Sequence, residues 1–71
     1  MDIAEVAKKA HVATSTLRFY EEKGLIKSIG RQGLRRQYAK QVLEQLALIA
    51  LGRAAGFSLD EIAHMFGEAG Q

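Results

Sequence analysis

Hydroxyl groups, one guanidinium and two aromatic rings crowd into the stretch Thr14–Leu25, TSTLRFYEEKGL. Ser15 and Thr16 bring small donors and acceptors, Arg18 a forked cation, and Phe19 and Tyr20 flat ring faces. A fork of this kind matches a guanine edge or a phosphate, and an apolar group meets a thymine methyl. A short helix carrying the set therefore suits the major groove of a duplex. Four further cations follow, Lys27, Arg31, Arg35 and Arg36, around the glycines Gly30 and Gly33. Cations beside a reading helix grip phosphates and set its register without reading sequence. The expected division puts Ser15, Thr16, Arg18 and Phe19 at the groove, with Tyr20, Lys27, Arg31, Arg35 and Arg36 largely at phosphates.

Helical geometry has to present these groups. Leu17 is the inward anchor; Arg18 is turned from it by about 100° and Phe19 by about 200°, while Tyr20 and Glu21 lie nearer its own face. Phe19 either faces outward to a base or the sugar-phosphate backbone, or packs under the following loop. Thr14 or Ser15 could cap this helix, but the best register puts Ala13 at the cap. Gly24 stops it. The preceding helix is short: Ile3, Val6, Ala7 and Ala10 form an amphipathic stripe, and Asp2 with Glu5 makes a capping box. Lys8 and Lys9 complement its C-terminal dipole, and His11 and Val12 turn the chain.

Leu25–Ile29 reads as a short strand, Gly30 to Gly33 as the turn, and Leu34–Tyr38 as the returning strand. The cationic hairpin is a wing. Residues 40–55 form the longest helix, with Val42, Leu43, Leu46, Ile49 and Ala50 as one stripe and Gly56 as its stop. Leu48 and Leu51 fall off that stripe, and either lie under the next helix or seat another one. Ser58 and Glu61 cap a fourth helix, Phe57 is placed to staple onto Ile62, and Leu59, Ile62, Ala63 and Phe66 face inward. Gly67 ends it, and Gly70-Gln71 reads as frayed. The fold class expected is mainly α, a winged helix-turn-helix of four helices and a two-stranded wing. One domain spans 1–71: helix-turn-helix 2–24, wing 25–38 and helix pair 40–67.

Charge is divided along the chain. Residues 1–43 hold nine Lys or Arg against four acids, net +5, whereas residues 44–71 hold Arg53 against four acids, net −3. A basic first half is what phosphates require. A chain of 71 residues supports one small core. It has no cysteine, which excludes disulfides, thiolate metal sites and cysteine nucleophiles, so no cofactor is expected. With neither a membrane span nor a signal peptide in view, a cytoplasmic setting is expected. His11 and His64 are far apart in sequence and no nucleophile or carboxylate constellation joins them, so an enzyme is not expected. Two other classes remain open: a protein-interaction module seated on Leu48 and Leu51, and a small excisionase or architectural DNA-bending protein.

Three segments in order, LRFYEEKGLI at Leu17–Ile26, Arg36-Gln37-Tyr38, and GFSLDEIAHMF at Gly56–Phe66, resemble the MerR family of transcriptional regulators. GLIKSIGRQGLRRQY is most similar to its redox-sensing SoxR branch. The resemblance implies a winged helix-turn-helix with its second helix in the major groove and its wing on flanking phosphates. Arg18, Phe19 and Tyr20 match the Arg-aromatic-Tyr of the family's recognition helix, and Arg36 its wing arginine. Family members are homodimers that bend and untwist a promoter with an overlong spacer, so that RNA polymerase engages it. The family's coiled-coil dimerisation helix and effector segment are absent from these 71 residues, and without cysteine neither an iron-sulfur cluster nor a thiolate metal site is possible. The piece is expected to be monomeric or weakly paired, because the gain of a linked second half-site is lost.

Overall fold

The computed structural model describes residues 1–69, with side chains through Phe66. Its element order is α1 (Ile3–Ala10), α2 (Thr14–Glu22), β1 (Gly30–Gln32), β2 (Arg35–Gln37), α3 (Gln41–Ala54) and α4 (Leu59–Ala69). This is the expected winged helix-turn-helix. None of its helices is long and apolar enough to cross a membrane.

Local chemistry explains where the helices begin and end. Asp2 caps α1 by accepting the Glu5 amide at 2.9 Å. The Glu5 carboxylate does not reciprocate but pairs with Lys9 at 3.7 Å. Ser58 and Glu61 do exchange both bonds: the Ser58 amide donates to Glu61 at 2.9 Å, and the Glu61 amide to Ser58 Oγ at 3.1 Å. At the ends of α2 and α3, Gly24 and Gly56 adopt φ of +79° and +95°, a left-handed turn that costs glycine little. Each closes its helix with a pair of bonds: Leu25 N to Tyr20 O and Gly24 N to Glu21 O, then Phe57 N to Gly52 O and Gly56 N to Arg53 O. His11 takes the same role after α1, at φ 58°, in a region that histidine enters more readily than most side chains.

The core joins all four helices. Ile3 and Val6 of α1, Leu17 of α2, Val42, Leu46 and Ile49 of α3 and Ile62 of α4 are buried together with Leu25, Ile26 and Tyr38. Each fully buried side chain of this size is worth roughly 1.5–3 kcal/mol of hydrophobic transfer, and seven of the ten, Val6, Leu17, Leu25, Ile26, Tyr38, Ile49 and Ile62, are buried to that degree. Leu59, Ala63 and Phe66 pack against the cluster, as the inward stripe of the last helix requires. Helices α3 and α4 approach closely at Gly52, where an added Cβ would lie 2.9 Å from Ile62 Cδ1.

Besides the unreciprocated cap at Asp2, several details depart from the sequence reading or settle what it left open. Leu25 and Ile26 are not strand residues: they form a buried connector, and the strand starts only at Gly30. An apolar run of this length looks the same whether it is a strand or a core-filling link. The hairpin turn is Gly33-Leu34 rather than Gly30–Gly33, since Gln32 pairs with Arg35, Arg31 with Arg36 and Gly30 with Gln37. Helix α4 runs through Gly67 to Ala69, and the expected fraying of Gly70-Gln71 lies outside the described residues. Leu48 and Leu51 are exposed, at 54% and 67%, so they are not core under α4.

Candidate nucleic-acid interface

Helix α2 begins at Thr14, after Ala13 at the cap position, which is extended and makes no side-chain cap. The hydroxyls that follow are therefore not spent on capping: Ser15 is exposed and Thr16 half-buried at the N-terminal turn. Leu17 is fully buried, and this anchor turns Arg18 and Phe19 outward. Phe19 is 44% exposed, so of its two readings the outward one holds. Its ring lies 6.4 Å from that of Tyr20, tilted by 46°, and the Lys23 ammonium sits 5.7 Å from its centroid. A cation over the ring face restrains the phenyl while leaving its edge to solvent. Tyr20 is half-buried and turned another way. It lines a groove of about 330 Å³ with Lys9, Ala10, Val12, Leu43 and Leu46, between the end of α1 and the middle of α3.

The wing is pinned at two acids. On one of its faces Arg31 and Arg36 stand directly opposite each other. Two like charges so placed repel, and Glu21 of α2 relieves the repulsion: its Oε1 lies 3.5 Å from an Arg36 nitrogen. Tyr38 Oη donates to the same oxygen at 2.8 Å, and Ser28 Oγ donates to Oε2 at 3.3 Å. Burial raises the Tyr38 phenol above its ordinary pKa, and its bond to the Glu21 carboxylate raises it further. Arg35, whose strand position puts it on the opposite face, reaches Asp2 at 3.2 Å. The Asp2 carboxyl is held below its usual range mainly by the Glu5 amide and then by Arg35. The chain start also runs beside β2, with the Met1 amino group donating to Tyr38 O at 2.9 Å and the Tyr38 amide to Met1 O at 2.6 Å.

Two clusters result. Ser15, Thr16, Arg18 and Phe19 share the outward side of α2, and Lys27, Arg31, Arg35 and Arg36 mark the connector and ribbon beside it. Among the described residues Arg18, Lys27 and Arg31 have no acidic partner, whereas Arg35 and Arg36 each have one. Ile29 and Leu34 are 70% and 97% exposed, which puts apolar groups on the ribbon as well. The residue that sequence reasoning passed over is Glu21. Alternation along a strand puts Arg36 and Tyr38 on one face, so an acid serving both could have been sought, although nothing in the spacing says which acid.

The model of the MerR HTH family regulatory protein matches residues 1–69. The chain belongs to the MerR family. This MerR-family domain is 42% identical over 60 residues to a SoxR homolog of Chromobacterium violaceum, described as an HTH-type transcriptional activator. That match takes in 84% of the chain and 40% of the relative. It is 41% identical over 66 residues to the HTH-type transcriptional regulator CueR of Vibrio cholerae, covering 92% of the chain and 48% of CueR. The MerR domain thus spans less than half the length of these relatives. Its backbone superposes on the transcription regulator PbrR691 of Ralstonia metallidurans, solved with lead(II), at a TM-score of 0.84 and 36% identity, over 97% of this chain and 54% of that one. It also matches HiNmlR, a MerR family regulator lacking the sensor domain and bound to promoter DNA, at a TM-score of 0.78 and 31% identity, over 92% and 54%. The winged-helix fold and the MerR assignment made from three motifs are both borne out.

Proposed function

We propose that this domain binds double-stranded promoter DNA sequence-specifically, as the DNA-binding part of a transcriptional regulator. Helix α2 enters the major groove and the wing lies on the flanking backbone. The observation that carries this reading is the placement of Arg18 and Phe19, both exposed and turned away from the buried anchor Leu17 of α2, with Lys27 on the connector and three cations on the ribbon that follows. The promoter-bound MerR regulator that shares this fold supports it. In this reading Ser15, Thr16, Arg18 and Phe19 address base edges, and Lys27, Arg31, Arg35 and Arg36 address phosphates. Tyr20, half-buried with its ring 6.4 Å from that of Phe19, is assigned to a phosphate through its hydroxyl. The domain works by binding and bending rather than by catalysis, in the cytoplasm where promoters lie. A homodimer would present two such helices, and RNA polymerase would meet the complex at the promoter.

The test is selection from a randomised duplex pool, followed by anisotropy titration of the enriched and a shuffled duplex at two salt concentrations. Expected is tighter binding of the enriched duplex and weakening of both by salt. No binding to either duplex at low salt overturns the reading. A second reading, a protein-interaction module, draws on the exposed Leu48 and Leu51. Its binding would hardly respond to salt, because apolar burial is not screened.

A further inference from the structure

Glu21 collects hydrogen bonds from three segments that lie 7, 15 and 17 residues further along the chain: Ser28 in the connector, Arg36 in β2 and Tyr38 beyond it. No other residue of α2 makes a polar side-chain bond to the wing among the described residues. The backbone of β2 approaches α1 closely, and neither strand of the ribbon approaches α2 in that way. One carboxylate is therefore the direct joint between the helix and the ribbon. Its side chain is 25% exposed and that of Arg36 is 28% exposed, so the pair sits at the seam rather than in open solvent.

We propose that Glu21 is a positioning residue for duplex binding, which fixes the wing relative to α2 and holds Arg36 pre-oriented towards a backbone phosphate. The inference rests on the duplex-binding reading above. A guanidinium has five N–H donors and Glu21 engages it through one nitrogen, so donors remain for a phosphate. Two effects oppose each other. The carboxylate repels a nearby phosphate, but it also removes the rotamer freedom that a long cationic side chain would otherwise lose on binding. The carboxylate keeps a quarter of its surface in solvent, so its repulsion of a phosphate is partly screened by water and salt. The ordering gain is not screened, so positioning wins.

The probe is a labelled mixed-sequence duplex at moderate salt, about 0.1 M, where the repulsion is screened, because phosphate contacts are common to every sequence. Four proteins form a cycle: wild type, Glu21→Gln, Arg36→Ala and the double variant. The amide oxygen still accepts from Tyr38 and the amide nitrogen donates to Ser28 Oγ, so Glu21→Gln keeps both neighbours bonded while removing the charge that holds Arg36. Expected is about a tenfold loss of affinity on Glu21→Gln, the ratio that a coupling of 1.4 kcal/mol produces, and no further loss when the same change is made on Arg36→Ala. A merely structural role would give equal losses in both backgrounds. Ser28→Ala, which leaves Glu21 and Arg36 intact, provides a milder variant and should weaken binding in the same direction with an unchanged melting midpoint. Equal affinity or tighter binding by Glu21→Gln overturns the proposal, as does a loss that persists without Arg36. If the wild type binds no duplex, the duplex-binding reading falls and this inference with it. Wild-type binding with an unaffected Glu21→Gln removes this inference alone.

Discussion

Arg18 and Arg31 are both exposed cations without an acidic partner among the described residues, yet the groups around them differ. Arg18 stands beside Phe19 on a helix whose anchor, Leu17, is fully buried, so its backbone position and outward direction are set by that anchor. Arg31 stands on a two-stranded ribbon opposite Arg36. Replacing Arg18 with alanine should cost about 1–3 kcal/mol of binding to the enriched duplex and flatten the base preference at one position. Replacing Arg31 should weaken enriched and shuffled duplexes alike and lower the salt slope by about 1, a difference that paired titrations resolve. Two acids at helix starts set a pH limit. The carboxyls of Asp2 and Glu61 are both held below their ordinary range, chiefly by the backbone amides of Glu5 and Ser58. A carboxylate with a depressed folded-state pKa contributes stability that is present above its unfolded pKa and is lost as pH falls through the folded one. Unfolding free energy should therefore be flat from neutrality down to about pH 5 and fall below about pH 4. Asp2→Asn, which keeps a capping oxygen but cannot titrate, should shorten that acid limb in urea titrations monitored by circular dichroism.

At the scale of elements, the seam between α3 and α4 has no room for a side chain at Gly52. Gly52 lets Ile62, 1% exposed, lie against the α3 backbone. Gly52→Val should cost about 1–3 kcal/mol through overpacking and shift the urea midpoint without changing its slope. An unshifted midpoint would mean that α4 swings away freely. Elements of this kind were legible because their signals are local: a cap at Asp2, a reciprocal pair at Ser58 and Glu61, left-handed stops at Gly24 and Gly56. The wing was legible as a hairpin but not in register. Leu25 and Ile26 have strand-like composition and are consumed by the core, so the ladder slides towards Gly30 and the turn to Gly33-Leu34. The outward cluster on α2 followed from helical angles alone. The Glu21 joint did not, because its three partners meet it only after the connector, β2 and the segment beyond it have folded back. Phe57 is 42% exposed and lines an outward hollow with Asp60, Glu61, His64 and Met65, next to the start of α4.

The domain measures 36 × 26 × 18 Å, and in the proposed reading α2 is the one helix that enters the groove. Two half-sites one helical turn apart lie about 34–36 Å from centre to centre, so a single copy with these dimensions reads one of them. Binding of unlinked copies to an inverted repeat of the enriched half-site should then show little cooperativity. Joining two copies in tandem changes the second event into an intramolecular one. A flexible Gly/Ser linker has a root-mean-square span of about 5–6 Å times the square root of its length, so about 40 residues match the distance between half-sites. With that linker the tandem should bind the inverted repeat about 10²–10⁴-fold more tightly than the single domain does. On a duplex with one half-site shuffled, most of the gain should vanish. A tandem that gains as much on one half-site as on two would mean that the linkage acts through local phosphate density rather than through two recognition helices. A single domain that already binds the inverted repeat cooperatively would mean that copies associate on their own, and the exposed Leu48–Leu51 face of α3 would be the first surface to substitute.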